Sequence, residues 1–200
     1  MTAPGPKRSL QKNAGETLAH LRTVTGPAHS ALERDLGLLN RQLDLDAYRQ
    51  LLARLYGFWI GWEPQIAGLL QDAALLAPRR RLHLLAADLS ALGIAENELA
   101  ALPQCPLTPL RDAAEALGSL YVMEGSALGG RLIGDHVQRC LGSVALDASA
   151  YFRGYGAETD MMWQAFLVRL DAAPAADTQR IGNGAVATFE RLGWWLTREG

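Results

Sequence analysis

Two groupings of residues in this 200-residue chain could do chemistry. The first is Arg22, His29 and Glu33, near the N-terminus. An imidazole ligates iron through one ring nitrogen, while a carboxylate or carbonyl on the other fixes its orientation. Glu33 follows His29 by one helical turn, so on a helix it can supply that acceptor, directly or through water. Arg22 precedes His29 by two turns, about 10 Å along the axis, and can pair with the carboxylate of a ligand. The same residues also read as a surface His-Glu pair worth roughly 0.3 kcal/mol. Spacing leaves both readings open.

The second grouping lies between Leu120 and His136. Four glycines, Gly125, Gly129, Gly130 and Gly134, interrupt apolar residues that otherwise recur at helical steps: Leu117, Leu120, Tyr121, Leu128, Leu132, Ile133 and Val137. Each glycine inside a helix costs roughly 1 kcal/mol relative to alanine, so four in ten residues need a reason. Gly125 and Gly129 share a face, with Gly130 beside them. A helix without side chains there lets its backbone lie flat against another helix or against a planar ligand. The pattern does not choose between the two.

The remaining chemistry is easier to exclude. No Glu-x-x-His pair occurs, which disfavours a carboxylate-bridged di-iron bundle. No strand precedes Gly125–Gly130 and no Gly-Lys-Ser/Thr follows, so the segment is not a phosphate loop. Cys105 and Cys140 belong to no Cys-x-x-Cys pair and read as reduced, partly buried thiols. A formal net charge of -2 gives no electrostatic reason to expect nucleic acid or an anionic membrane surface. The longest apolar stretches are broken by Arg54, Glu63, Gln71 or Asp72, short of a membrane span. The N-terminus has no hydrophobic signal core, so a cytoplasmic protein is expected.

The elements that must position these residues are all helical. Residues 1–12, with Pro4, Pro6, Lys7, Arg8 and Lys12 and no periodicity, are expected to form a flexible tail ahead of a single domain spanning 13–200. Asn13 can cap the first helix in a capping box with Glu16. Leu18, Leu21, Thr25, Ala28 and Leu32 form its stripe, and Pro27 predicts a kink or break just before His29. Asp44 or Asp46 opens a second helix with Tyr48, Leu51, Leu52, Leu55, Trp59 and Trp62 inward, until Pro64 kinks or ends it. Pro78 is placed to start a third, and 93–109 reads as the main internal loop. Thr108-Pro109 predicts the start of the glycine-rich helix, and Gly142 its end. Two more helices follow, from about Glu158 and from Ala175 or Ala176 to Leu196, the last with Phe189 inward. No run alternates like a strand, so the fold class is all-α, with about seven or eight helices.

A histidine on one helix and a glycine-bent helix elsewhere resemble the two sides of a clamp for a planar cofactor. Three blocks carry a resemblance to the heme oxygenase family, most like its bacterial biliverdin-producing members associated with bacteriophytochromes. They are Thr25-Gly-Pro-Ala-His-Ser-Ala-Leu-Glu33, Leu120-Tyr-Val-Met-Glu-Gly-Ser-Ala-Leu-Gly-Gly-Arg131 and Phe152-Arg-Gly-Tyr-Gly-Ala-Glu-Thr159. The resemblance implies a multi-helical bundle that holds heme b as both cofactor and substrate. It implies oxidative cleavage of heme to biliverdin, carbon monoxide and ferrous iron, using dioxygen and electrons from a ferredoxin or flavoprotein reductase. A bacteriophytochrome would be a candidate recipient of the biliverdin. His29 would be the iron ligand and Glu33 its anchor. Gly125, Gly129 and Gly130 would let the distal helix bend over the other face of the heme. Arg22 would contact a propionate, and Tyr121 and Phe189 would lie near the ring. Many relatives carry an aspartate after the first distal glycine, where this chain has Ser126, so the proton route departs from the family pattern. Glu124, Arg131 and His136 are candidates to contribute to it, and Arg153 and Arg169 are candidates for a propionate clamp. The same departure leaves open a rival expectation: a heme-binding or heme-delivery protein of the same fold.

Overall fold

The computed structural model describes residues 6–198, with side chains from residue 15 onward. Four long helices build the frame: α1 (Pro6–Leu36), α2 (Leu45–Leu70), α6 (Ala113–Leu141) and α10 (Thr178–Thr197). Between them lie α3 (Ala73–Leu76), α4 (Leu82–Ala91), α5 (Glu96–Ala101), α7 (Val144–Asp147), α8 (Ala150–Arg153) and α9 (Thr159–Asp171). There is no strand among the described residues. No helix there is long and apolar enough to cross a membrane.

The apolar stripes of the sequence become one core. Tyr48, Leu52, Phe58, Trp59 and Ile66 of α2 meet Leu85 and Leu89 of α4, Leu120 and Met123 of α6, and Phe166 of α9, all nearly inaccessible. Two polar groups that enter this core find partners there. The Trp62 indole donates to the Ser119 hydroxyl at 2.8 Å, and Tyr48 donates to the Ala148 carbonyl at 2.6 Å.

Helix α10 is the support shared by α1 and α6, and its glycines explain how. A Cβ at Gly184 would sit 2.1 Å from the Glu115 carbonyl oxygen, and one at Gly118 would sit 1.8 Å from the Ile181 carbonyl oxygen. Backbone therefore touches backbone where α10 crosses α6. On the side towards α1, a Cβ at Gly182 would lie 2.8 Å from His20 Nε2. Phe189, two turns further along α10, reaches His29 of α1.

Several boundaries differ from the sequence expectation; Pro78, placed to start the third helix, lies instead in a short turn, Ala77–Arg79, and α4 begins only at Leu82. α1 begins at Pro6, inside the segment expected to be a tail and ahead of the Asn13 cap, and it continues through Pro27 to Leu36. α2 continues through Pro64 to Leu70, because burial of Trp62 and Ile66 on either side outweighs the loss of one backbone donor. The glycine-rich helix starts at Ala113 rather than Pro109. Its cap is Asp112, whose carboxylate accepts from Ala114 and Glu115 amides at 2.9 and 3.0 Å. The C-terminus of α6 lies where expected, at Gly142 with φ of 61°.

Candidate functional site

On α1, His29 and Glu33 form the expected pair. His29 Nδ1 lies 3.5 Å from Glu33 Oε2, and both side chains are more than half exposed. The carboxylate thus occupies the Nδ1 side of the ring and leaves Nε2 with no protein partner among the described residues. The Phe189 ring meets the imidazole edge-on, with centroids 5.4 Å apart at 84°. An imidazole with one nitrogen held, one nitrogen open and its plane braced by an aromatic ring can ligate a metal. Among the described residues no three His, Cys, Asp or Glu side chains converge, so such a metal would arrive in its own ligand set.

Arg22 and Tyr121 are also brought together. Tyr121 of α6 is half-buried against Trp163, 5.8 Å between centroids. Burial pushes its phenol upward, while the proximity of Thr25 and the Arg22 guanidinium of α1 pulls it back down. His29 lies one turn beyond Thr25 on α1, and Gly125 and Gly129 lie one and two turns beyond Tyr121 on α6.

The glycines of α6 divide into two sets. A Cβ at Gly130 would sit 2.9 Å from the Phe152 carbonyl oxygen, so Gly130 is buried and lets α8 dock on α6. Gly118 serves α10 in the same way. At Gly125 and Gly129 an added Cβ would meet nothing within 4 Å. These two positions answer the question that the sequence left open: they face open space, not a neighbouring helix. Ser126 and Leu128 on the same stretch are exposed. A cavity of about 660 Å³ at the ends of α1, α2 and α10, lined by Arg41, Arg54 and Arg198, shares no residue with this face.

Behind the open face stands a polar network that sequence reasoning did not assemble. Glu124, next to Gly125, is buried in an ion pair with Arg79 at 3.1 Å and accepts from the Tyr155 hydroxyl at 2.6 Å. Burial, and then the Glu124 charge, push the Tyr155 phenol far up. Arg81 is 2% exposed, and its guanidinium has no carboxylate partner among the described residues. Its guanidinium lies over the rings of Trp59, Tyr151 and Tyr155 at 5.0 to 5.5 Å and donates to the Met123 carbonyl. Of the run Arg79-Arg80-Arg81, two of the three are buried. Only the adjacent Pro78 and the aromatic residues at 151–155 could have hinted at a cage.

The other sequence candidates lie elsewhere. His136 is buried with Nε2 3.0 Å from the Arg41 carbonyl oxygen. Arg153 donates to the Leu146 carbonyl, and Arg169 pairs with Asp72 at 3.6 Å. Arg131 is exposed.

The heme oxygenase family model matches residues 16–198. No curated protein matches the chain. Among solved structures, heme oxygenase 2 from Chlamydomonas reinhardtii, determined without heme, is similar over 90% of this chain and 95% of its own. Its TM-score is 0.70 at 17% identity, a likeness of fold. With the family model covering nearly its whole length, the chain belongs to the heme oxygenase family.

Proposed function

We propose that this member of the heme oxygenase family holds heme b between His29 and the Gly125–Gly129 face and cleaves it to biliverdin, carbon monoxide and ferrous iron. Dioxygen and electrons from an external ferredoxin or flavoprotein reductase complete the reaction. The observation that carries this reading is the open space at Gly125 and Gly129. Two glycines that pack against nothing weaken the helix without serving the fold, whereas a helix bare of side chains is what a broad planar ligand requires.

The residues present fit heme. His29 Nε2 would ligate the iron, with Glu33 fixing the ring through Nδ1 and Phe189 bracing its edge. Arg22 would pair with a propionate, and Tyr121 would border the ring from α6. Heme, when bound, supplies the iron at which dioxygen binds and is itself the substrate. The chain's own part is to orient the ring, to leave the glycine face free of side chains, and to offer the exposed Ser126 hydroxyl as a side-chain proton donor. A cytoplasmic setting with biliverdin passed to a bacteriophytochrome completes the reading.

A second reading, heme delivery without degradation, is favoured by one feature: a serine stands at the position where many relatives carry an aspartate. Product analysis separates the two. Hemin, a reductant and catalase under air should give biliverdin and carbon monoxide in step with loss of the Soret band. A Soret band that shifts on reduction but persists would make the protein a carrier.

A further inference from the structure

The cavity at the ends of α1, α2 and α10 lies apart from the face assigned to heme. At about 660 Å³ it has the size of a small-molecule site, for which roughly 300 to 1,000 Å³ is usual. Leu36, Leu51, Pro103 and Leu196 give it apolar walls, and its charged lining consists of Arg41, Arg54 and Arg198. No acidic residue lines it among the described residues. Apolar walls with charge of one sign select a ligand that has an apolar body and an anionic end.

Arg54 is arranged to receive that end. Its guanidinium lies over the Trp195 ring at 4.8 Å, and its own carbonyl accepts from the Trp195 indole at 2.7 Å. Trp195 is 3% exposed, so the ring beneath the guanidinium is fixed in the core. A guanidinium stacked by its face keeps its N–H edge available for a carboxylate. The one hydrogen bond it makes among the described residues is long, 3.4 Å to the Arg198 carbonyl. Stacking also settles in advance part of the side-chain ordering that binding would otherwise cost. The Arg41 backbone is anchored as well, with its carbonyl 3.0 Å from Nε2 of the buried His136.

The acids nearest to the cavity in sequence are engaged elsewhere. Asp35 pairs with Arg34 at 3.2 Å and Asp46 with Arg49 at 2.8 Å, while Asp44 caps α2 by accepting from the Ala47 amide at 2.8 Å. Neither Arg41 nor Arg54 has a carboxylate partner among the described residues. The chain thus sets a positive, partly apolar hollow here and leaves these two arginines without a carboxylate.

We propose that this cavity is a second ligand site, for a carboxylate carried on an apolar body, with Arg54 pairing with the carboxylate and the exposed Arg41 and Arg198 adding attraction around it. A free fatty acid and a propionate-bearing linear tetrapyrrole share that chemistry. The inference does not depend on the heme reading of the Gly125–Gly129 face.

The test is calorimetric titration of the full-length protein with decanoate, and with 1-decanol as its uncharged match. Decanoate should bind saturably and more tightly than 1-decanol, and added salt should weaken decanoate alone. Arg54→Gln should weaken decanoate by at least about tenfold, the worth of a charge-assisted hydrogen bond, and leave 1-decanol unchanged. Ala53→Phe, which puts a ring into the cavity, should abolish binding of both. Biliverdin titrated in the same way identifies the source: tighter binding than decanoate, lost with Arg54→Gln, assigns the site to a tetrapyrrole, and no binding while decanoate still binds assigns it to a fatty acid. Equal affinity for decanoate and 1-decanol, or wild-type affinity for decanoate in Arg54→Gln, would overturn the proposal. So would decanoate binding that is lost in Gly129→Leu and kept in Ala53→Phe, because the ligand would then lie on the glycine face.

Discussion

Replacing Gly129 with alanine should stabilise the ligand-free protein, whereas the same change at Gly118 should damage it. Both glycines lie inside α6, where alanine is worth about 1 kcal/mol more than glycine. At position 129 the new methyl group meets nothing within 4 Å, so about 0.5 to 1 kcal/mol of that preference should be realised. For a chain of this length the melting temperature should rise by roughly 2 to 4 °C. At position 118 the methyl would lie 1.8 Å from the Ile181 carbonyl oxygen and 2.9 Å from the Ala185 amide nitrogen. Backbone cannot yield as a side chain can, so the cost should be at least the 1 to 3 kcal/mol typical of overpacking. Urea denaturation of the two ligand-free variants, followed by circular dichroism, gives both signs. A larger residue separates fold from function: Gly129→Leu should leave the ligand-free protein folded and abolish the Soret complex with hemin. A destabilised Gly129→Ala would mean that α6 packs there after all, and the reasoning from open space would fail.

Other perturbations reach different parts of the account. Glu124→Gln should leave Arg79 as an unpaired buried charge and cost about 3 to 5 kcal/mol, read as a fall in urea midpoint. The Cys105 thiol is pushed by burial up to about 11, so at pH 8 its thiolate fraction is roughly 100-fold below that of an ordinary thiol. Iodoacetamide with peptide mapping should therefore label the half-exposed Cys140 first; equal labelling would contradict the buried position of Cys105. Asp112 is held below the usual carboxylate range, chiefly by the Glu115 amide, with Arg180 and the Ala114 amide adding to this. A depressed carboxylate contributes stability that is present above the unfolded value, near 3.9, and is lost as pH falls through the lower folded value. Asp112→Ala should cost about 1 kcal/mol at neutral pH and flatten the stability profile below about pH 4. An unchanged acid limb would contradict that.

The His29–Glu33 contact on α1 was legible because it is local. His29 and Glu33 are one turn apart, and a helix makes that spacing a contact regardless of the rest of the fold. Phe189, read as a core residue and as a neighbour of heme, is buried and also meets the imidazole. The glycines were legible as a question only. Whether Gly125 and Gly130 face space or backbone depends on where α8 lies, and that position is set by Asp88 on α4. Thr108-Pro109 is a sound local start signal that lost to Asp112, which pairs with Arg180 of α10 while it caps α6. Gly57 shows the same limit. The loop at Pro103 and Cys105 crosses α2 there, with the Cys105 amide donating to the Gly57 carbonyl at 2.8 Å, a contact across many residues that no local pattern announces. Arg81 was missed because a buried arginine whose guanidinium has no carboxylate is uncommon, and its partners are aromatic faces drawn from two distant segments, Trp59 and 151–155.

The most direct test of the central claim is turnover of hemin by His29→Ala with and without added imidazole, measured as biliverdin formed in the presence of reductant and catalase. The account predicts turnover by the wild-type protein, none by the variant, and recovery when free imidazole fills the space left by the side chain. Wild-type rates in His29→Ala without imidazole would show that the iron is held elsewhere, and would contradict the placement of heme against α1.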